Sequence, residues 1–232
     1  MSSNPVALIT GASRGIGRAI ADDLGSTHHL LLGGRDLHAL AELSSSFPSA
    51  EPFAAELRDA GQVAAAVAGI PRLDVLIHSA GVLRMGAVAD LSDDAWRESF
   101  EVNVFAVASL TRALLPALRS AGGQVITINS GSGYTSGANS AVYSGTKFAL
   151  RAFTDALREE ERQHGVRVSS IHPGRVATDM QAELHAWEGR EYSPEAWIQP
   201  DQVAKTVRLA VDATRDSTIE TLSIRPSGIS LG

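Results

Sequence analysis

Tyr143 and Lys147 stand four residues apart in Tyr143-Ser144-Gly145-Thr146-Lys147, at the start of a stretch that reads as a long helix. At that spacing the phenol and the amine leave the same helix face. A free tyrosine has a pKa near ~10 and is a poor acid or base at neutral pH, so an adjacent ammonium that favours the phenolate would make it useful in proton transfer. Taken alone, the spacing is also that of a solvated helix pair. Two other features bear on it. Ser130 follows the apolar run 125–128, where a strand would end, and Thr10-Gly11-Ala12-Ser13-Arg14-Gly15-Ile16-Gly17 follows the first apolar run of the chain, Val6-Ala7-Leu8-Ile9.

The elements that must position these residues alternate along the chain. Short continuous apolar runs, the mark of strands buried on both faces, predict strands at 6–9, 30–32, 51–57, 73–78, 124–129, 167–171 and 218–224. Between them, periodic segments predict helices at 18–24, 37–43, 60–67, 93–118, from Tyr143 onward, and at 201–213. Ser92 is placed to cap the helix that starts at Asp93, and Gly122-Gly123 ends the connection after it. Parallel neighbours need crossover connections, and helices supply them. The alternation therefore predicts an α/β fold: a Rossmann-type, doubly wound parallel sheet of about seven strands with helices on both faces. No linker or repeat divides the 232 residues, so one domain over 1–232 is expected.

Composition narrows the function. A net charge of −6 and the lack of any basic run argue against a nucleic-acid or anionic-membrane surface. With no cysteine there is no disulfide or thiolate metal site, and the seven histidines show no metal-binding spacing, so no metal is expected. The amino terminus carries no charged and apolar leader, and no apolar run approaches the ~20 residues of a membrane span, which makes the cytoplasm the expected location.

Glycines at 11, 15 and 17 allow a tight turn, close approach of backbone N–H groups to a pyrophosphate, and close packing of helix on strand. Strand before and helix after make dinucleotide binding the reading of this turn. In such folds an acidic residue after the second strand bonds the ribose 2′-hydroxyl of NAD. Gly34 stands there instead. With Arg35 beside it and Arg14 inside the glycine turn, the corner is cationic where NADP carries its extra phosphate, although both arginines also read as loop surface.

The glycine turn, Ser130, Tyr143 and Lys147, in this order, resemble the short-chain dehydrogenase/reductase family, and the likeness runs over roughly 6–224. The resemblance implies that Gly11, Ser13, Arg14, Gly15, Ile16 and Gly17 hold the cofactor with Arg35. It places Glu56 and Leu57 at the adenine, where the family usually has Asp before an apolar residue. Ala80 and Gly81 would let the ribose approach the backbone. Pro173, Gly174, Val176 and Thr178 would form the loop at the nicotinamide and pyrophosphate. Asn103 would hold a water linking Lys147 to solvent; its other reading is a helix-distorting residue with its own hydrogen bond. Ser130 also reads as a turn residue, and only its thirteen-residue offset from Tyr143 singles it out. His78-Ser79-Ala80-Gly81 keeps only the last two residues of the family's N-N-A-G. His78 reads as a strand-end histidine, and the structural bonds of the missing asparagines must be made elsewhere.

The resemblance implies an NADP(H)-dependent oxidoreductase acting on a carbonyl or alcohol. Ser130 would polarise the oxygen, Tyr143 would be the acid/base, and Lys147 would lower the tyrosine pKa and bind the nicotinamide ribose. The other reading is an NADP(H)-binding regulator that has lost turnover, favoured by the departure at His78-Ser79. A homodimer or homotetramer is expected, because the helix with Val102, Val104, Phe105, Val107, Ala108, Leu110 and Leu114 is apolar around most of its circumference. Residues 178–199, irregular and carrying Trp187, Trp197, Met180, Leu184 and Tyr192, are expected to form a substrate lid. Their aromatics could instead pack against the body, and Glu188, Arg190 and Glu191 could suit a polar substrate.

Overall fold

The computed structural model describes residues 4–227. Seven parallel strands form one sheet in the order β3-β2-β1-β4-β5-β6-β7. They are β1 (Val6–Thr10), β2 (His29–Gly34), β3 (Ala50–Ala54), β4 (Val75–His78), β5 (Gln124–Ile128), β6 (Arg167–Pro173) and β7 (Thr221–Ile224). Helices α1 (Gly15–Leu24), α2 (Leu37–Ser44), α3 (Ala60–Val67), α4 (Asp93–Phe100), α5 (Ala106–Ala121), α6 (Ala141–Glu161), α7 (Asp179–Trp187) and α8 (Pro200–Val211) fill the connections. This is the Rossmann-type architecture expected.

Adjacent strand residues feed opposite cores, which is why the strands read as unbroken apolar runs. Ile9, Ile77 and Ile126 pack with Ile20, Leu24, Val203 and Val207 of α1 and α8. Their neighbours Leu8, Leu76 and Val125 pack with Leu110, Leu114, Leu118 and Leu157 of α5 and α6. Chain order reverses between β1 and β4, so the loops after these two strands diverge and open a crevice at their carboxyl ends, where open α/β sheets bind ligands.

Several boundaries differ from the sequence reading. Gly34 is the last residue of β2, paired with Ala54, rather than the residue after it. β3 stops at Ala54 and so leaves Glu56 and Leu57 in a loop; as an edge strand it tolerates Pro52, which has no N–H to donate. The stretch read as irregular contains α7. Its buried residues are Gln181 and His185, four apart, so the inward stripe is polar and carries no apolar period.

α4 and α5 are continuous through a wider π-helical turn, Glu101–Phe105, centred on the buried Asn103. The expectation that no apolar segment reaches membrane-span length is corrected here. Asp93–Ala121 is 29 residues long and apolar enough to cross a membrane by length and composition. In the fold it is a core helix, with Leu110, Leu114 and Leu118 all but inaccessible against the sheet.

Candidate active site

The glycine turn closes the crevice at its β1 end. Gly11 has φ +67°, in the left-handed region, and a Cβ there would lie 3.0 Å from the Ala80 Cα. A Cβ at Gly17 would lie 2.2 Å from the carbonyl oxygen of Gly11, so the first turn of α1 seats directly on the loop. That turn has no side-chain cap and no acidic residue, which leaves its backbone N–H groups available to an anion. The cleft above has a volume of about 320 Å³. Gly11, Ser13, Arg14, Gly15, Ile16 and Gly17 line it from one side, Arg35, Glu56 and Leu57 from a second, and Ala80, Gly81 and Thr178 from a third. A dinucleotide phosphate fits this donor set: open amides, no acidic residue in the first turn of α1, and glycines where a Cβ would fill the space, with Asp179, which also lines the cleft, taken up by Arg14.

Charged groups of both signs line the cleft. Arg14 Nη1 lies 3.2 Å from Asp179 Oδ2 in an exposed ion pair. Glu56 is held by the Arg58 guanidinium at 3.0 and 3.1 Å, which lowers its pKa. Arg35 has no ion-pair partner among the described residues.

The loop after β4 is held by side chains of other elements. Thr10 Oγ1 accepts from the N–H groups of both Ser79 and Ala80 at 3.1 Å. Asn103 clamps the next part of the loop, its Oδ1 accepting from the Val82 N–H and its Nδ2 donating to the Val82 carbonyl, each at 2.9 Å. Nδ2 also donates to Thr146 Oγ1 at 3.1 Å, tying this loop to α6. His78 turns away from the cleft and bonds Thr111 of α5 at 2.8 Å. Burial depresses its pKa to about 3, so the ring is neutral.

Ser130, Tyr143 and Lys147 come together outside the lining of that cleft, where β5 ends beside α6. Ser130 N–H donates to the Asn129 side chain at 2.9 Å, and Ser130 Oγ accepts from Ser132 N–H at 3.1 Å. Lys147 is 6% exposed, its Nζ donating to the Ile128 carbonyl at 3.0 Å and lying 5.7 Å from the Tyr143 ring centroid. Burial lowers its pKa to about 8. Burial also raises the Tyr143 pKa, with the Ser130 side chain opposing. In the protein alone the phenol is thus a weaker acid than usual.

Of the loop after β6, Thr178 reaches the cleft; Pro173, Gly174 and Val176 do not line it. In the 178–199 segment the first turn of α7, with Asp179 and Met180, borders the cleft. Farther on, Tyr192 and Trp197 pack edge-on to the buried His185 at 5.4 and 5.3 Å, and Arg175 covers Trp197 while pairing with Glu188. Trp187 stays half exposed. Two residues escaped the sequence reading. Thr10 was quoted only as the start of the glycine turn, and His172 lies at the end of β6 with Nδ1 3.0 Å from the Ser130 carbonyl.

Fold and crevice define a Rossmann-type α/β protein with a cleft at the β1–β4 reversal, and the comparisons give the class. Residues 5–189 match the short chain dehydrogenase family. A short-chain type dehydrogenase/reductase of Sinorhizobium fredii is 34% identical over 238 residues, spanning 100% of this chain and 95% of the relative. Among solved structures, a metagenomic short-chain oxidoreductase in complex with NADP superposes with a TM-score of 0.81 at 33% identity, covering 97% of this chain and 98% of its own. An alcohol dehydrogenase of the archaeon Thermococcus sibiricus, complexed with 5-hydroxy-NADP, superposes at 0.87 with 26% identity and 97% coverage of both chains. The chain belongs to the short-chain dehydrogenase/reductase family.

The buried ammonium has a consequence for stability. Folded Lys147 loses its proton near pH 8 and the unfolded chain near 10.5, so between these values the unfolded chain holds more protons and stability rises with pH. In urea unfolding, wild type should gain up to about 3 kcal/mol on Lys147→Met across that window. A difference that stays constant with pH would contradict a buried, desolvated ammonium.

Proposed function

We propose that the protein is an NADP(H)-dependent oxidoreductase that interconverts a carbonyl and an alcohol. The observation that carries this reading is the convergence of Ser130, Tyr143 and Lys147 at the end of β5, beside a cleft whose open amides suit a pyrophosphate. NADP(H), when bound, supplies or takes up the hydride. Ser130 Oγ holds and polarises the substrate oxygen. Tyr143 exchanges the proton with that oxygen. Lys147, cationic below about pH 8, binds ribose hydroxyls; the expected lowering of the phenol's pKa by this ammonium is not found in the protein alone, where burial raises it. Asn103, on the far side of Thr146, supports the route by which the proton reaches solvent. The regulator reading gains no support, because Thr10 and Asn103 make bonds that hold the loop after His78-Ser79. Tyr143→Phe should cut turnover at least ~10²-fold while leaving cofactor affinity within a few-fold; near-normal turnover would remove Tyr143 from the chemistry.

NADP(H) rather than NAD(H) is supported by Gly34 at the end of β2, by Arg35, which has no ion-pair partner among the described residues, by Arg14 in the lining of the same cleft, where it pairs with Asp179, and by the NADP complexes of the similar structures. Arg35→Ala should weaken NADPH binding roughly 10-fold and leave NADH binding nearly unchanged. Equal NADH and NADPH affinity in the unmodified protein would show that this corner does not read the 2′-phosphate.

The protein is also expected to self-associate. Phe105 and Phe148, 53% and 42% exposed, lie on the two long helices that cover one side of the sheet. A second copy packing the same two helices across a twofold axis would cover both rings. Light scattering at micromolar concentration should give a dimer or tetramer, and a monomer mass would rule this out.

A further inference from the structure

His172 sits at the carboxyl end of β6, only 1% exposed, and sequence reading assigned it nothing. Its two ring nitrogens have different partners. Nδ1 lies 3.0 Å from the carbonyl oxygen of Ser130, and Nε2 lies 2.8 Å from Ser170 Oγ. A carbonyl oxygen can only accept, so Nδ1 carries the proton. Nε2 is then a lone pair, and the Ser170 hydroxyl must donate to it. The neighbours therefore specify one neutral tautomer. Burial lowers the pKa of the ring, opposed by the bond to the Ser130 carbonyl and aided by the charges of Arg151, Arg225 and Lys147.

The ring is also held by its faces and its backbone. Tyr134, from the loop that follows Ser130, packs against it tilted by 35° with centroids 4.4 Å apart, and the Arg151 guanidinium lies over the Tyr134 ring at 4.5 Å. Arg225 donates to the His172 carbonyl. Ser130 in turn has its N–H bound by Asn129 and its carbonyl bound twice, by Gly133 N–H at 3.0 Å and by His172. Gly133 belongs to the same short turn as Ser130 and moves with it. His172 is the donor to that carbonyl that is rooted in the sheet.

We propose, building on the reading of Ser130, Tyr143 and Lys147 given above, that His172 is a positioning residue. Its Nδ1–H fixes the peptide plane after Ser130 and thereby aims the serine hydroxyl at the substrate oxygen. It touches neither substrate nor cofactor. A serine hydroxyl misplaced by an ångström loses much of its value as a preorganised donor.

The test uses side-chain geometry. Asparagine places an amide nitrogen where Nδ1 stands, and glutamine places one where Nε2 stands. With a ketone or aldehyde that the protein reduces, His172→Asn should keep kcat within about 3-fold, whereas His172→Gln should lose about 10-fold or more with NADPH Kd unchanged. In a Ser130→Ala background, His172→Gln should cost less than about 2-fold, because the donor it aims is gone. Equal effects of asparagine and glutamine, or a full cost that persists without the serine hydroxyl, would overturn the assignment. A costly Ser130→Ala beside a harmless His172→Gln overturns the His172 role alone; a harmless Ser130→Ala overturns the active-site reading and this role with it. Nitrogen-15 shifts of the His172 ring in the unmodified protein provide a check independent of any variant's folding. The Nδ1–H tautomer is expected, and an Nε2–H tautomer refutes the proposal.

Discussion

The site depends on what happens where the order of a parallel sheet reverses. Between β1 and β4 the two chains leave in opposite directions, and the backbone groups just past the strand ends lose their ladder partners. A buried N–H without a partner costs about 1–3 kcal/mol, and these part-buried groups find theirs in side chains. Thr10 Oγ1 accepts two such N–H groups, and Asn103 takes both the N–H and the carbonyl of Val82. Because Asn103 sits in the π-helical turn and also bonds Thr146, the clamp that holds the cleft open ties it to the helix bearing Tyr143 and Lys147. Cleft and reactive residues are two ends of one hydrogen-bonded unit.

Around this unit the protein accepts local instability. Lys147 is buried with one carbonyl acceptor at 3.0 Å and with its pKa lowered to about 8, and Asn129 Nδ2, beside Ser130, is buried without a protein partner. Neither arrangement favours folding. Both are sustained by the two apolar cores, in which Leu8, Leu76, Ile9 and Ile77 are fully buried on opposite faces of the sheet. A rigid sheet sets the ends of β5 and β6 side by side, which is what lets His172 reach the Ser130 carbonyl.

Much of this was legible in the sequence, for definite reasons. Strands buried on both faces leave unbroken apolar runs, and the glycine turn leaves its spacing, so the architecture and the glycine-lined end of the cleft followed from residue type. What escaped detection was polar. α7 buries Gln181 and His185 in place of an apolar stripe, so its helix has no hydrophobic period to find. What holds the loop after His78-Ser79 was not visible because the acceptor, Thr10, is 69 residues from Ser79 in the chain and adjacent only through β1–β4 pairing. His172 is likewise 42 residues from Ser130 and meets it only through the register of β5 and β6. Arg14 and Arg35 were readable as charges near the glycine turn, whereas the pairing of Arg14 with Asp179 needed the loop after β6 in place.

The central claim is hydride transfer from NADPH at the carbon whose oxygen Ser130 and Tyr143 hold. The most direct test incubates the protein with NADPH deuterated at C4 of the nicotinamide and a panel of aldehydes and ketones, followed by mass spectrometry of the products. The account predicts an alcohol carrying one deuterium on the carbinol carbon, formed in step with NADPH consumption. A reduced product without the label, or a panel left unreduced while the protein binds NADPH, would contradict it.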